Sequence, residues 1–262
     1  MRRFETWSVG GVFGLLVLAG AGTAFGQEAK KEGSGGMAIR PAELYSCDFK
    51  EGKGPADLQA AAANFNAWMD STNQHDYWAF LLTPYYRSSD QDFDVLWAGG
   101  WRTGADMARG IQRYVGEGSA VAAGFDQVVA CDQVTNFALM DLSKAPSPPD
   151  SGPVTFSNCT VEKGRKFPDA LAAVNGWIAY EKEHGIVADH YLLFPAFGEQ
   201  SAAEYSFKWV TTSSWEAFGK SYDHYGTGGG WQKAQELFDG LLDCDTSRVY
   251  VSQRVRSLAP AK

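Results

Sequence analysis

The stretch Cys47-Asp-Phe-Lys-Glu-Gly-Lys53 recurs in altered form as Cys159-Thr-Val-Glu-Lys-Gly-Arg165, 112 residues further along the chain. The two other cysteines follow the same spacing, because Cys131 and Cys244 lie 113 residues apart. Self-similarity at a fixed offset is the signature of an internal repeat. The sequence therefore predicts that two related segments make up most of the chain.

Further positions match at the same offset. The segment Asp76-Tyr-Trp-Ala-Phe-Leu-Leu82 aligns with Asp189-His-Tyr-Leu-Leu-Phe194. Between the two copies, residues 143–153 contain four prolines among small polar residues, a composition typical of a linker. The copies are thus expected to be separate units of about equal length, over residues 38–142 and 154–256.

The hydrophobic pattern of the first copy predicts the order strand, helix, strand, strand, helix, strand. The expected strands are residues 43–49, 77–82, 93–97 and 131–142, and the expected helices are residues 56–69 and 105–129, the second interrupted near Gly116. The second copy repeats this pattern, with its break at residues 226–230 before a helix over residues 231–242. This order is that of the ferredoxin-like βαββαβ fold, in the α+β class.

The cysteine positions predict two disulfides. In a ferredoxin-like unit the first and last strands are antiparallel neighbours, so the end of one strand lies beside the start of the other. Cys47 stands near the end of the first predicted strand and Cys131 opens the last, and Cys159 and Cys244 hold the same places in the second copy. We therefore expect Cys47 to pair with Cys131, and Cys159 with Cys244. Four free buried cysteines are the alternative, and the absence of a CxxC spacing argues against a metal site.

The N-terminus has the pattern of an export signal. Arg2 and Arg3 precede an uncharged apolar stretch over residues 9–25 that ends in small side chains, which predicts a signal peptide over residues 1–26. An uncleaved membrane anchor is the alternative. Residues 27–37 are expected to be a flexible leader and residues 257–262 a tail. The mature protein is thus expected to be periplasmic or secreted and free of the membrane after signal cleavage.

The net charge of the chain indicates which classes of partner the protein can bind. The chain of 262 residues has 23 basic and 31 acidic side chains and a net charge of −8. Nucleic-acid binding requires a concentrated basic surface, so nucleic acid is not expected to be a partner. We expect a small-molecule ligand, and a monomer or a weak homo-oligomer.

Two stretches resemble the dimeric α/β-barrel superfamily. They are Phe93-Asp-Val-Leu-Trp97 followed by Trp101-Arg-Thr-Gly-Ala-Asp-Met107, and Tyr205-Ser-Phe-Lys-Trp209 followed by Trp215-Glu-Ala-Phe218. Each resembles the third strand of that family, which ends in tryptophan and runs into the second helix. The superfamily includes antibiotic-biosynthesis monooxygenase-like and NIPSNAP-like domains, and the chlorite dismutase and dye-decolorizing peroxidase families. The resemblance implies two tandem ferredoxin-like units that pack as an intramolecular dimeric α/β barrel, with a pocket between or beside the sheets.

The resemblance to chlorite dismutases also implies a possible haem, which needs an axial histidine and polar distal groups. His190 is the best candidate ligand, because it replaces Tyr77 in a buried strand pattern, and Arg102 or Arg109 would be the distal cation. The histidines do not align with the family's haem motif, and the GxxDG signature of the peroxidases is absent. We therefore expect no cofactor, with haem as the alternative, and no metal site.

Aromatic side chains, 14% of the chain, are the remaining distinctive feature. Most are expected to fill the core, but some could line a pocket at matching strand ends. The candidate pocket residues are Trp97, Trp209, Tyr86, Phe197, His190 and Arg102. The favoured function is binding of a small apolar or aromatic ligand in the barrel. The alternatives are a small-molecule enzyme, either a cofactor-independent monooxygenase-like catalyst or a haem protein, and an interaction module that recruits a partner at exposed sheet edges.

Overall fold

The computed structural model describes residues 39–89, 91–144, 150–199 and 205–258. These residues belong to one compact unit. The predicted signal peptide and leader, the middle of the predicted linker and most of the predicted tail lie outside the described residues. Among the helices that the structure describes, none is both long and apolar enough to cross a membrane.

The first half of the chain folds in the predicted order of elements. Its third strand begins two residues later than expected and continues to Trp101, and its long helical region is divided at Gly118. The elements are β1 (Ile39–Phe49), α1 (Pro55–Ser71), β2 (Tyr77–Tyr86), β3 (Val95–Trp101), α2 (Gly104–Glu117), α3 (Ser119–Asp126) and β4 (Val129–Ser143).

The second half repeats this order with one difference. The sequence pattern predicts a helix as far as Leu242, but the helix ends at Phe238 and a short extra strand, β8, follows. The elements are β5 (Ser151–Val161), α4 (Phe167–Glu183), β6 (Ala188–Phe197), β7 (Phe207–Ser213), α5 (Trp215–Thr227), α6 (Gly230–Phe238), β8 (Leu242–Cys244) and β9 (Arg248–Arg256). The ends of the predicted linker thus belong to strands, with Ser143 in β4 and Ser151 in β5.

Eight antiparallel strands form a closed barrel. Their order is β7-β6-β4-β1-β3-β2-β9-β5, and pairing of β5 with β7 closes the ring. In each half the last strand pairs with the first, the first with the third and the third with the second. The halves join through the pairs β4–β6 and β2–β9. β8 and β9 pair with successive parts of β5, so together they take the place that the continuous β4 takes beside β1.

The alternation of side chains along each strand separates a core inside the barrel from apolar clusters between the strands and the helices. On β1, Ala42 and Leu44 point into the barrel, where one apolar cluster draws buried side chains from all eight barrel strands, including Phe137, Leu193 and Tyr250. The intervening side chains of the strands point outward to the helices. The outer face of the second half packs on α4, through Val174 among others, as a separate cluster.

Both disulfides are present in the structure. Cys47 is bonded to Cys131 where β1 pairs with β4, and Cys159 is bonded to Cys244 where β5 pairs with β8. Each bond therefore lies within one half of the chain, at the junction of the first strand with the last.

Candidate functional site

A cavity of about 850 Å³, called the large cavity below, lies outside the barrel, mainly against the first half of the chain. Its floor is the outer face of β1, β3 and β4, and its walls come from α1, α2 and α3. Nine of the lining side chains are aromatic, namely Tyr45, Phe65, Trp68, Tyr77, Trp97, Trp101, Tyr114, Phe125 and Phe197. Ile111 and Val115 of α2 also line the cavity and are exposed, so they mark the border between the cavity and solvent.

Two glycines make room for the aromatic lining. The Tyr77 ring crosses Gly99 on β3, and a Cβ at that glycine would lie 1.9 Å from the Tyr77 hydroxyl oxygen. A Cβ at Gly110 on α2 would lie 2.7 Å from Nε1 of Trp101. Real Cβ atoms do not approach other atoms so closely, because interiors are packed at van der Waals contact. The positions of Tyr77 and Trp101 therefore depend on these two glycines.

A buried carboxyl group lies on the cavity floor. Glu43 of β1 is only 9% exposed and accepts a hydrogen bond of 2.8 Å at Oε1 from the Tyr77 hydroxyl. The Tyr45 hydroxyl donates to Oε2 at 3.3 Å. Trp97 Nε1 in turn donates to the Tyr77 oxygen at 2.7 Å. The four side chains form a continuous polar chain inside a largely apolar cavity.

Burial raises the pKa of Glu43 to about 7, against an opposing effect of the two tyrosine hydrogen bonds. The pKa of Tyr77 is raised well above its usual value, first by burial and then by the negative charge of Glu43. The same two causes raise the pKa of Tyr45. The phenols therefore stay protonated and act as donors, while Glu43 alone changes its charge near neutral pH.

This arrangement allows two kinds of chemistry. Apolar walls remove water from a bound molecule, and a single buried carboxyl group can fix the orientation of one polar group on it. A carboxyl group with a pKa near 7 can also accept or donate a proton at neutral pH.

A second, smaller cavity of about 360 Å³ lies at one end of the barrel and is more polar. Lys208 and Glu199 are among its lining residues. Burial lowers the pKa of Lys208 to about 8. The Lys208 ammonium lies 4.1 Å from the centre of the Tyr205 ring and donates to the Asn158 side chain at 3.0 Å.

The structure brings two of the six candidate pocket residues to the large cavity, Trp97 and Phe197. The others lie elsewhere. Tyr86 is exposed near the end of β2, and Arg102 donates from Nε to Asp76 at 2.8 Å. Trp209 and His190 lie in the second half, where Trp209 packs against Phe238 in the outer core. The six residues therefore do not form one site.

His190 is buried between protein groups. It is 2% exposed, its Nδ1 accepts a hydrogen bond of 3.3 Å from Trp209 Nε1, and its Nε2 lies 3.0 Å from Oε2 of Glu181. Both ring nitrogens thus face protein groups. The trio corresponds to Glu43, Tyr77 and Trp97 of the first half, except that its carboxyl group comes from helix α4 instead of β1.

These contacts do not fit the haem that the resemblance implies. An axial ligand needs a free ring nitrogen beside open space, but both nitrogens of His190 are engaged and neither cavity includes this residue. None of the described residues that line the large cavity is a histidine. In the described part of the chain, no group of three histidine, cysteine or acidic side chains is placed to hold a metal ion.

Sequence reasoning did not identify Glu43 and Tyr77 as site residues. A signal was present, because Glu43 and Tyr45 alternate with Cys47 along one strand and so share its face. The predicted disulfide placed Cys47 in the interior. An acidic residue four positions earlier on that face is therefore a buried carboxyl group.

Comparison with known proteins shows the fold. No protein-family model matches the chain, and no curated protein matches its sequence. The chlorite dismutase of Candidatus Nitrospira defluvii, solved with imidazole, aligns with a TM-score of 0.50 at 8% identity over 84% of this chain and 92% of that chain. A candidate monooxygenase from Fusobacterium nucleatum aligns with a TM-score of 0.52 at 9% identity over 84% and 94% of the two chains. A candidate chlorite dismutase aligns with a TM-score of 0.50 at 12% identity over 82% and 94%.

The protein is therefore similar in fold to these chlorite dismutase-like and monooxygenase-like proteins. At sequence identities of 8–12%, these comparisons show a similarity of architecture alone. The function has to be argued from the site itself.

Proposed function

We propose that the protein binds a small, largely aromatic molecule in the large cavity of its first half. The observation that carries this proposal is an apolar cavity of about 850 Å³ with one buried carboxyl group, Glu43, on its floor. A volume in this range suits a metabolite-sized ligand, and an apolar lining with a few placed polar groups is typical of small-molecule sites. The tryptophan rings supply the surface on which an aromatic ligand would pack.

Catalysis of proton transfer on that ligand is a second candidate function. It is favoured by the pKa of Glu43, which burial brings to about 7. A general acid or base works best when its pKa lies near the working pH. The likeness to chlorite dismutase-like and monooxygenase-like folds is compatible with an enzyme. Because the residues do not fit a haem, this candidate is an enzyme that works without one.

Recruitment of a partner at exposed sheet edges gains no support. Among the described residues, each of the eight barrel strands is paired on both sides. A strand that is paired on both sides offers no free edge for a further strand.

We also infer that the protein acts in the periplasm or outside the cell, and that its halves are tandem ferredoxin-like copies. Two disulfides support an oxidising compartment. The shared strand order of the halves and the matching positions of their disulfides support duplication.

A pair of variants tests the ligand site with the neutral fluorescent dye prodan. Val134 lines the cavity and is 46% exposed, whereas Val187 is 51% exposed and does not line it. We expect saturable, blue-shifted dye emission with the wild type and with Val187→Trp. Val134→Trp should narrow the cavity and weaken binding by about tenfold, the effect of 1.4 kcal/mol. Equal affinity for both variants, or no saturable binding by the wild type, would contradict the proposal.

A further inference from the structure

We propose that the ligand of the large cavity carries a protonated amine, which forms an ion pair with Glu43 against the surrounding aromatic rings. This inference rests on the proposed function and names the chemical class of its ligand. It follows from the partners that Glu43 has, from the partners it lacks, and from the side chains around it.

The Glu43 carboxylate can accept more hydrogen bonds than it receives from the protein. A carboxylate offers about four lone-pair positions, and the two tyrosine hydroxyls use one on each oxygen. In the described part of the chain, no lysine, arginine or histidine forms an ion pair with Glu43, although eleven such pairs occur elsewhere. Within the described residues, the buried carboxylate therefore has no ion-pair partner.

An uncompensated buried carboxylate is costly, which is why burial raises the pKa of Glu43. A neutral ligand would leave that cost in place, and an anionic ligand would add repulsion in a medium of low dielectric. A ligand cation instead supplies the missing counter-charge. In the second half the buried carboxyl group of Glu181 does have a nitrogen beside it, because its Oε2 lies 3.0 Å from Nε2 of His190.

The aromatic side chains beside Glu43 favour a cation as well. Phe65 lies edge-on to Trp97, with ring centres 5.5 Å apart, and Phe125 lies edge-on to Trp97 at 5.4 Å. The Tyr77 ring is 5.7 Å from Phe65. Grouped aromatic rings attract ammonium groups through their electron-rich faces, most strongly where water is excluded.

Few other groups facing the cavity can titrate. They are Tyr45 of β1, Tyr77 of β2, Tyr114 of α2, Lys50 after β1 and Asp126 of α3. Lys50 donates to the backbone carbonyl of Asp126 and not to Glu43. The three phenols stay protonated because burial raises the pKa of each. Ionisation of Glu43 is therefore the change that governs amine binding near neutral pH.

Three probes with one naphthalene frame test the inference by calorimetry at about pH 8, where Glu43 is ionised. They are 2-(1-naphthyl)ethylamine, the neutral 2-(1-naphthyl)ethanol and the anion 1-naphthaleneacetate. We expect the amine to bind at least about tenfold more tightly than the alcohol, and the anion most weakly. The amine affinity should fall as pH is lowered from about 8 to about 5, because Glu43 becomes protonated while the amine stays charged.

Two variants locate the amine. Glu43→Gln should bring the amine to the affinity of the alcohol and leave the alcohol unchanged, which also shows that the variant is folded. Glu199→Gln alters the smaller cavity and should keep the preference for the amine. Should Glu43→Gln fail to fold, the pH dependence of the wild type still decides the question.

The outcomes separate the two proposals. Equal binding of amine and alcohol by the wild type overturns the amine and leaves the cavity as an aromatic-ligand site. A preference for the amine that disappears in Glu199→Gln also overturns it, because the amine then binds at the barrel end. No saturable binding of any probe contradicts the proposed function together with this inference.

Discussion

The Tyr77 hydroxyl donates to the Glu43 carboxyl at 2.8 Å, although the two residues lie on strands that are not neighbours. β3 runs between β1 and β2, and its Gly99 pairs with Glu43 on one side and with Ala79 on the other. The phenol reaches the carboxyl group by passing over Gly99, where no side chain stands in its way. The packing of three strands thus fixes the polar group of the cavity.

Replacement of Gly99 by alanine should break this contact. The new Cβ would lie 1.9 Å from the Tyr77 hydroxyl oxygen, so the ring has to move. We expect Gly99→Ala to lower the free energy of unfolding by about 1–3 kcal/mol, the usual cost of overpacking. Urea denaturation measures the change. Gly104→Ala is the control, because its Cβ meets open space and should leave stability equal or slightly higher.

The buried carboxyl group should also make stability depend on pH. The pKa of Glu43 rises from 4.5 to about 7 on folding, so the folded state binds the proton more tightly than the unfolded state. The resulting stabilisation is complete below pH 4.5 and is lost as pH rises through 7. Over that range the wild type should lose about 3 kcal/mol relative to Glu43→Gln. Urea denaturation of both proteins at several pH values tests this, and parallel curves would contradict it.

Removal of a tyrosine hydroxyl should raise the pKa of Glu43 further, because both hydrogen bonds oppose the effect of burial. Tyr77→Phe should have the larger effect, since its hydrogen bond of 2.8 Å is shorter than the 3.3 Å bond of Tyr45. Carbon-13 NMR of labelled glutamate measures the titration, and Glu43→Gln identifies the signal. A pKa that falls in Tyr77→Phe, or a larger rise in Tyr45→Phe, would show that the hydrogen bonds do not act as the structure indicates.

The backbone architecture could be predicted from the sequence because it depends on the spacing and the alternation of residues, which the sequence shows directly. The offset between Cys47 and Cys159 and the alternation around Trp97 and Trp209 predict the strand order within each half. The exceptions are local. The sequence pattern predicts that α6 runs to Leu242, because Leu241 and Leu242 continue its apolar residues, but the chain leaves the helix at Asp239 and Leu242 opens β8.

The position of the cavity could not be predicted in the same way. Trp97 and Trp209 stand at equivalent points, yet Trp97 lines the large cavity and Trp209 lines neither of the two cavities described above. The difference depends on contacts between strands and helices. In the second half, the Glu181 side chain of α4 contacts His190, and the buried pair occupies the space beside Trp209. The corresponding residue of α1 is Met69, which makes no such pair. A repeat offset shows which residues are equivalent but not which helix side chain reaches a given strand.

The two disulfides offer a matched test of this asymmetry. They close loops of nearly equal length, 84 and 85 residues, so chain entropy predicts a similar cost for the loss of either, about 4–5 kcal/mol. Their surroundings differ, because Cys47 and Cys131 line the large cavity, whereas Cys159 lies in the filled outer core of the second half.

Each disulfide can therefore be removed as a pair of alanines and the two double variants compared by urea denaturation and by dye titration. We expect similar losses of stability. Ligand binding should weaken in Cys47→Ala/Cys131→Ala, because the strands of the cavity floor lose their link, and should persist in Cys159→Ala/Cys244→Ala wherever that variant is folded. Weaker binding in the second double variant alone would place the ligand site on the other half of the barrel.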